Sequence, residues 1–96
     1  MNLLFIISQE HGADLLLPLS NACIRQKQQY SCFFTGAGVK TLEDAKIKQN
    51  LNILENSVAC HHSWDRYHPN TTSVATMGSQ TNLSEMIANH DKVVSI

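Results

Sequence analysis

Charge is scarce in this sequence. Of its 96 residues, seven are Lys or Arg and eight are Asp or Glu, 16% in all, against about 25% in typical soluble domains. The basic residues stand singly, never two together, so there is no positive patch to follow a nucleic-acid backbone, and no direct nucleic-acid partner is expected. No apolar run approaches the roughly 18 residues that a membrane-spanning helix needs, and no membrane association is expected. Cysteine is also sparse. The three cysteines, Cys23, Cys32 and Cys60, are odd in number and widely spaced, which excludes a disulfide framework and points to a reducing, cytoplasmic setting. The apolar opening Met1–Ile7 has no cationic flank and no small-residue cleavage site, so it reads as a first strand rather than a signal peptide.

A hydrophobic fraction of 43% is present over this short length. It suits one domain spanning 1–96 with a small core. Few charges on so small a domain suggest that part of its surface is covered in an oligomer.

Strand and helix signals alternate. Leu3 to Ile7 is a continuous apolar run, as expected of a central strand buried on both faces. After the loop Gln9-Glu10-His11-Gly12, a helix capped by Asp14 is expected to run to about Lys27, with Leu16, Leu19 and Cys23 on its apolar stripe. Pro18 is tolerable only near a first turn, so that helix is expected to start later or to bend. Tyr30–Phe34 is a second strand, Thr41–Leu54 holds a helix with Leu42, Ala45, Leu51 and Leu54 facing inward, and Ser57–Cys60 is a third strand. His61–Thr72 is polar and without period. A short strand is expected within Ser73–Met77, then a helix capped by Ser79 or Thr81 with Leu83, Met86 and Ile87 inward; Asn82 and Glu85 have capping-box spacing. Lys92–Ile96 is a last strand. The alternation predicts an α/β fold of three layers, α/β/α, with a mainly parallel sheet of about five strands.

The most informative segment is Ser57-Val58-Ala59-Cys60-His61-His62-Ser63-Trp64. It reads as a buried strand that delivers a thiol to its C-terminal end, the edge of an open α/β sheet where ligands and chemistry collect. Glu10-His11 follows strand one and so belongs to the same edge, where His11 is a candidate pocket residue.

Several motifs along the chain carry a family resemblance. The first strand opens at residue 2 and leads into a Gly-containing loop and a helix. Phe33-Phe34-Thr35-Gly36-Ala37-Gly38-Val39 is similar to F-F-x-x-x-G-V. Cys60 closes the third strand. Leu83-Ser84-Glu85 and Asp91-Lys92-Val93-Val94 look like L-x-E and D-[KR]-V-V at matching separation. In this order the chain resembles the DsrE/DsrF-like superfamily of sulfur-relay proteins, closest in pattern to its DsrE/TusD members. The resemblance implies a sulfurtransferase activity in which Cys60 accepts and passes on sulfur as a persulfide. It further implies homo- or hetero-oligomers of related subunits, exchange with small sulfur-carrier proteins in tRNA thiolation or sulfur oxidation, and no organic cofactor. The chain is shorter than the family between Cys60 and Ser73, so the helix placed there in relatives is expected to be short or absent.

Relay of this kind needs a thiolate, and a free thiol is only a few per cent ionised at neutral pH. Backbone N–H groups at a helix start after Cys60, a protonated His61 or His62, and the Ser63 hydroxyl are the candidates for stabilising it. Trp64 is a candidate wall of the pocket. Cys23 and Cys32 are expected to pack in the core. Cys60, His61, His62 and His68 invite a zinc reading, but their spacing fits no standard pattern and adjacent histidines point apart, so no metal is assigned. The lone G-x-G at Gly36 and Gly38 is expected to be structural. His90 suits the end of a helix dipole. Two alternatives stand beside sulfur relay: a non-catalytic assembly subunit of the same fold, and a small metal-binding protein.

Overall fold

The computed structural model describes residues 1–96. Its centre is one five-stranded sheet in the order β4-β3-β2-β1-β5, with every neighbouring pair parallel. The elements are β1 (Asn2–Ile7), α1 (Ala13–Arg25), β2 (Gln29–Phe34), a 3-10 segment (Gly36–Glu43), α2 (Ala45–Lys48), α3 (Leu51–Glu55), β3 (Ser57–Cys60), α4 (His61–Tyr67), β4 (Thr76–Gly78), α5 (Gln80–Asn89) and β5 (Lys92–Ser95). No helix is long and apolar enough to cross a membrane.

The chain steps from β1 to β2, β3 and β4 in one direction. Right-handed crossovers therefore place α1, the 3-10 segment with α2 and α3, and α4 on the same face. The last connection returns past the whole sheet to β5 and puts α5 on the other face. The three-layer α/β/α arrangement follows. Alternation along the strands divides the core accordingly. Phe5, Ile7, Cys32, Phe34 and Ala59 meet the first helical layer, whereas Leu4, Phe33 and Cys60 face α5 through Leu83 and Met86. α5 is the thinner cover, since none of its residues is fully buried.

Several local readings are corrected. α1 begins at Ala13 with Gly12 at its N-cap, and Asp14 lies in the first turn without capping. A Cβ at Gly12 would approach Ile7 Cγ2 to 2.7 Å, so the close packing of this turn on β1 decides the start. The helix runs through Pro18 and loses one internal hydrogen bond there. The helix expected within Thr41–Leu54 is two short helices, α2 and α3, each started by a polar side chain of the segment itself. Asp44 Oδ1 accepts from the Lys46 N–H at 2.9 Å and Asn50 Oδ1 from the Ile53 N–H at 3.0 Å. Such side chains compete with helical carbonyls and start new turns. The break re-aims the apolar residues: Ile47 and Ile53 are fully buried, whereas Leu51 is 71% exposed. The helix after Cys60 is short but present, with seven residues. The fourth strand is Thr76–Gly78, displaced toward the C-terminus from the expected Ser73–Met77. Ser79 caps α5 in a capping box with Asn82, not Asn82 with Glu85.

Candidate functional site

The adjacent strands β3 and β4 send their chains to opposite faces, β3 into α4 and β4 into α5. A crevice opens outside the carboxyl ends of two such strands, where no connection covers it. Here it is a cleft of about 450 Å³ lined by Cys60, His61, His62, Ser63, Asp65, Gly78, Ser79 and Gln80. Cys60 ends β3 and is at the same time the N-cap of α4. Its register partner across the ladder is Gly78. A Cβ at Gly78 would lie 2.5 Å from Val58 Cγ1 and 3.0 Å from Asn82 Oδ1, so a side chain there would crowd both β3 and the start of α5.

Cys60 is only 3% exposed. Burial by itself pushes a thiol up, because it disfavours the anion. Around Cys60 hydrogen-bond donors outweigh burial and the net shift is downward. They are the hydroxyl and backbone N–H of Ser63, the side-chain amide of Gln80 and the backbone N–H of His62. Gln80 Nε2 lies 3.5 Å from Sγ. Ser63 Oγ accepts the backbone N–H of Gly36 at 2.8 Å. That contact occupies an acceptor position of the hydroxyl and leaves its hydrogen for the sulfur. Gly36 has φ of 54°, a left-handed conformation that glycine adopts at little cost.

The other cysteines behave differently. Cys32 is fully buried within β2, and burial is the main reason its thiol is pushed up to about 12. Burial also pushes the Cys23 thiol up on α1. Both belong to the core cluster of the first helical layer. Among the three thiols, the lining of the cleft includes Cys60 alone.

Of the residues read as site candidates, Cys60, His61, His62 and Ser63 come together. The histidines do so in a different way from the imidazolium role expected of them. His61 Nε2 contacts Asp65 Oδ2 at 3.0 Å, one turn along α4 and largely in solvent. His62 supplies a backbone N–H. The groups that hold the sulfur anion are neutral donors.

Trp64 and His11 lie outside the cleft. Trp64 is buried in the layer opposite α5. Its Nε1–H donates to the Thr71 carbonyl at 2.6 Å and its ring stacks on His68 with centroids 4.1 Å apart. It therefore pins the α4–β4 connection. Its side chain packs into the core of that layer, away from the cleft that its neighbour Ser63 lines. His11 sits on the expected sheet edge, where it contacts Glu10 at 3.2 Å in solvent. It joins Lys40, Glu43 and Asp44 around a separate depression.

No group of three or more His, Cys, Asp or Glu side chains is arranged to hold a metal ion. His68 is engaged 2.6 Å from Glu43 Oε1, and stacked on Trp64, so it is not beside Cys60. His90 Nδ1 pairs with the Met86 carbonyl at the end of α5.

Gly36, Gly78 and Gln80 were not legible as site residues. In sequence, Gly36 reads as structural, and Gly78, Ser79 and Gln80 read as the turn before the last helix, with Ser79 a cap. Only the β3–β4 pairing brings the start of α5 to the thiol. No protein-family model matches the chain, and no curated protein sequence matches it.

Proposed function

We propose that this chain is a sulfur-relay protein that accepts and passes on sulfur as a persulfide on Cys60. The supporting observation is that Cys60 alone combines a position at the switch-point cleft with a thiol held below its ordinary value. Sulfur transfer is thiol-exchange chemistry, in which the thiolate is the reacting form and access governs the rate. The DsrE/DsrF-like resemblance of the motifs around Phe33, Cys60, Leu83 and Asp91 points to the same chemistry. It also supplies the expected context: related subunits as partners, small sulfur carriers as donors or acceptors, and tRNA thiolation or sulfur oxidation as the setting.

The test is intact-mass measurement after incubation with a low-molecular-weight persulfide, on the wild type and on Cys60→Ser. A gain of one sulfur atom that is removed by reductant and is absent from Cys60→Ser supports the reading. No gain, or an equal gain in Cys60→Ser, removes Cys60 as the carrier.

A second reading is an assembly subunit of the same fold. It is favoured by the incompletely covered α5 face and β5 edge, where Ile87 is 44% and Val93 42% exposed. Parallel sheets are ordinarily covered on both faces. That reading predicts self-association or capture by a related subunit which Ile87→Lys and Val93→Lys abolish, with no sulfur gain in the wild type.

A further inference from the structure

Two side chains approach the Cys60 sulfur from opposite walls of the cleft, and they differ in how they are held. Ser63, half-buried on α4, lines the cleft with Cys60, and its Oγ accepts the Gly36 N–H at 2.8 Å, which anchors the oxygen and leaves its hydrogen available to the sulfur. Gln80, the first residue of α5, is exposed, and its long side chain reaches Sγ only at 3.5 Å. One donor is anchored at its oxygen, on the wall formed by α4. The other is free to reorient and lies on the open side.

We propose that these two residues divide the two charge states of the carrier: the Ser63 hydroxyl holds the negative charge on Sγ when Cys60 is empty, and the Gln80 amide holds it on the outer sulfur when Cys60 is loaded. This rests on the persulfide reading above. In loading, the Cys60 thiolate attacks the outer sulfur of a donor R–S–SH. The new S–S bond forms as the donor's S–S bond breaks, R–S⁻ leaves with the bonding pair, and the outer proton is lost to solvent. No net oxidation occurs. The charge now sits one S–S bond, about 2 Å, farther out, beyond the fixed Ser63 hydroxyl. In unloading, an acceptor thiolate attacks that outer sulfur and the bonding pair returns to Sγ, back to Ser63.

The composition of the cleft makes Gln80 the fitting second donor. No Lys or Arg lines it. The His61 ring contacts Asp65 at 3.0 Å. The Gln80 amide carries two N–H donors, enough to follow a sulfur that moves outward. Ser63 lines the cleft with Cys60 and acts, in this proposal, directly on the reacting sulfur. Gly36 acts through it and is a positioning residue.

The two assignments predict shifts of opposite sign, which general damage to the fold would not produce. Thiolate absorbance is titrated on Ser63→Ala, Ser63→Thr and Gln80→Ala. The loaded fraction of each is then measured by intact mass at equilibrium with glutathione persulfide and glutathione, above the thiol midpoint. Ser63→Ala is expected to raise the thiol midpoint, slow alkylation at neutral pH about tenfold and increase the loaded fraction, because only the empty state loses a charge-assisted hydrogen bond. Ser63→Thr restores the wild-type midpoint. Gln80→Ala removes a long 3.5 Å contact from the empty state and a closer one from the loaded state, so it is expected to lower the loaded-to-empty ratio about fivefold, and Gln80→Glu to lower it further by repulsion. An unchanged midpoint in Ser63→Ala overturns the Ser63 assignment. An unchanged or increased ratio in Gln80→Ala overturns that of Gln80. A wild type that does not load overturns the relay reading and the Gln80 assignment with it, while the Ser63 assignment is still decided by the titration.

Discussion

Cys60 and Gly78 stand opposite one another as the last residues of β3 and β4. From this pair the chain departs to opposite sides of the sheet, and the cleft lies between the two departures. The thiol is thereby within reach of two helix starts, and its contact with Gln80 spans 20 residues of sequence.

Selective alkylation follows from that placement. At neutral pH iodoacetamide is expected to modify Cys60 first, with Cys23 and Cys32 reacting only after unfolding. The pH midpoint of Cys60 modification should fall below that of a free thiol, since its hydrogen-bond donors outweigh its burial. Peptide mapping over a pH series checks both; early modification of Cys32 would contradict the core assignment.

Alkaline pH should weaken the fold through the other thiol. Cys32 is raised from 9.0 to about 12 in the folded chain, so the unfolded chain loses this proton first. Stability then falls as pH rises through that window, by at most about 1.4 kcal/mol per pH unit for one group. Tyr30, raised from 10.0 to about 12 chiefly by burial, acts in the same direction. Cys60 has the opposite sign: its contribution is present above the ordinary thiol value and is lost as pH falls through its folded value. Urea titrations across this range should show a shallower alkaline decline in Cys32→Ala than in the wild type.

Gly38 admits no side chain. A Cβ there would lie 1.9 Å from the Ile7 carbonyl oxygen, which is backbone and cannot turn aside. Gly38→Ala is expected to cost about 3 kcal/mol, the upper end of ordinary overpacking, read as a lowered urea midpoint. A neutral result would show that the turn after β2 is looser than the 1.9 Å approach to Ile7 implies.

Trp64→Phe separates the anchoring role of Trp64 from a pocket role. It removes the hydrogen bond to the Thr71 carbonyl and should cost about 1–2 kcal/mol of stability. The Cys60 alkylation rate should stay within about twofold of wild type, because the ring lies in the opposite layer. A large acceleration would return Trp64 to the wall of the cleft.

The legible parts of the fold are those with strong local signals. Leu3–Ile7 and Ser57–Cys60 are short runs whose length suits a buried strand, and both form strands in the structure. The apolar spacing of Leu16 and Cys23 and the hydroxyl of Ser79 likewise marked α1 and α5. The segment Thr41–Leu54, whose inward residues differ from those expected, carries weak and conflicting signals. Asp44 and Asn50 are unremarkable inside a polar stretch until their oxygens are seen to take the N–H groups that a continuous helix would use. At the site, the thiol and its local neighbours His61, His62 and Ser63 were legible because they are consecutive. Trp64 was misassigned because adjacency in sequence says nothing of which helix face a residue occupies until the helix start is known.

By itself the sequence determined the alternation of strands and helices, the parallel α/β class and the delivery of Cys60 to the end of a strand, because each depends on hydrophobic period and turn chemistry over a few residues. Tertiary structure alone decided which strands are neighbours. The pairing of β3 with β4 and the return of the chain to β5 carried α4 and α5 to opposite faces. That arrangement set Gln80 on one wall and the Gly36-held Ser63 on the other. Contacts between residues distant in the chain arise from the packing of whole layers, a quantity that no local pattern encodes.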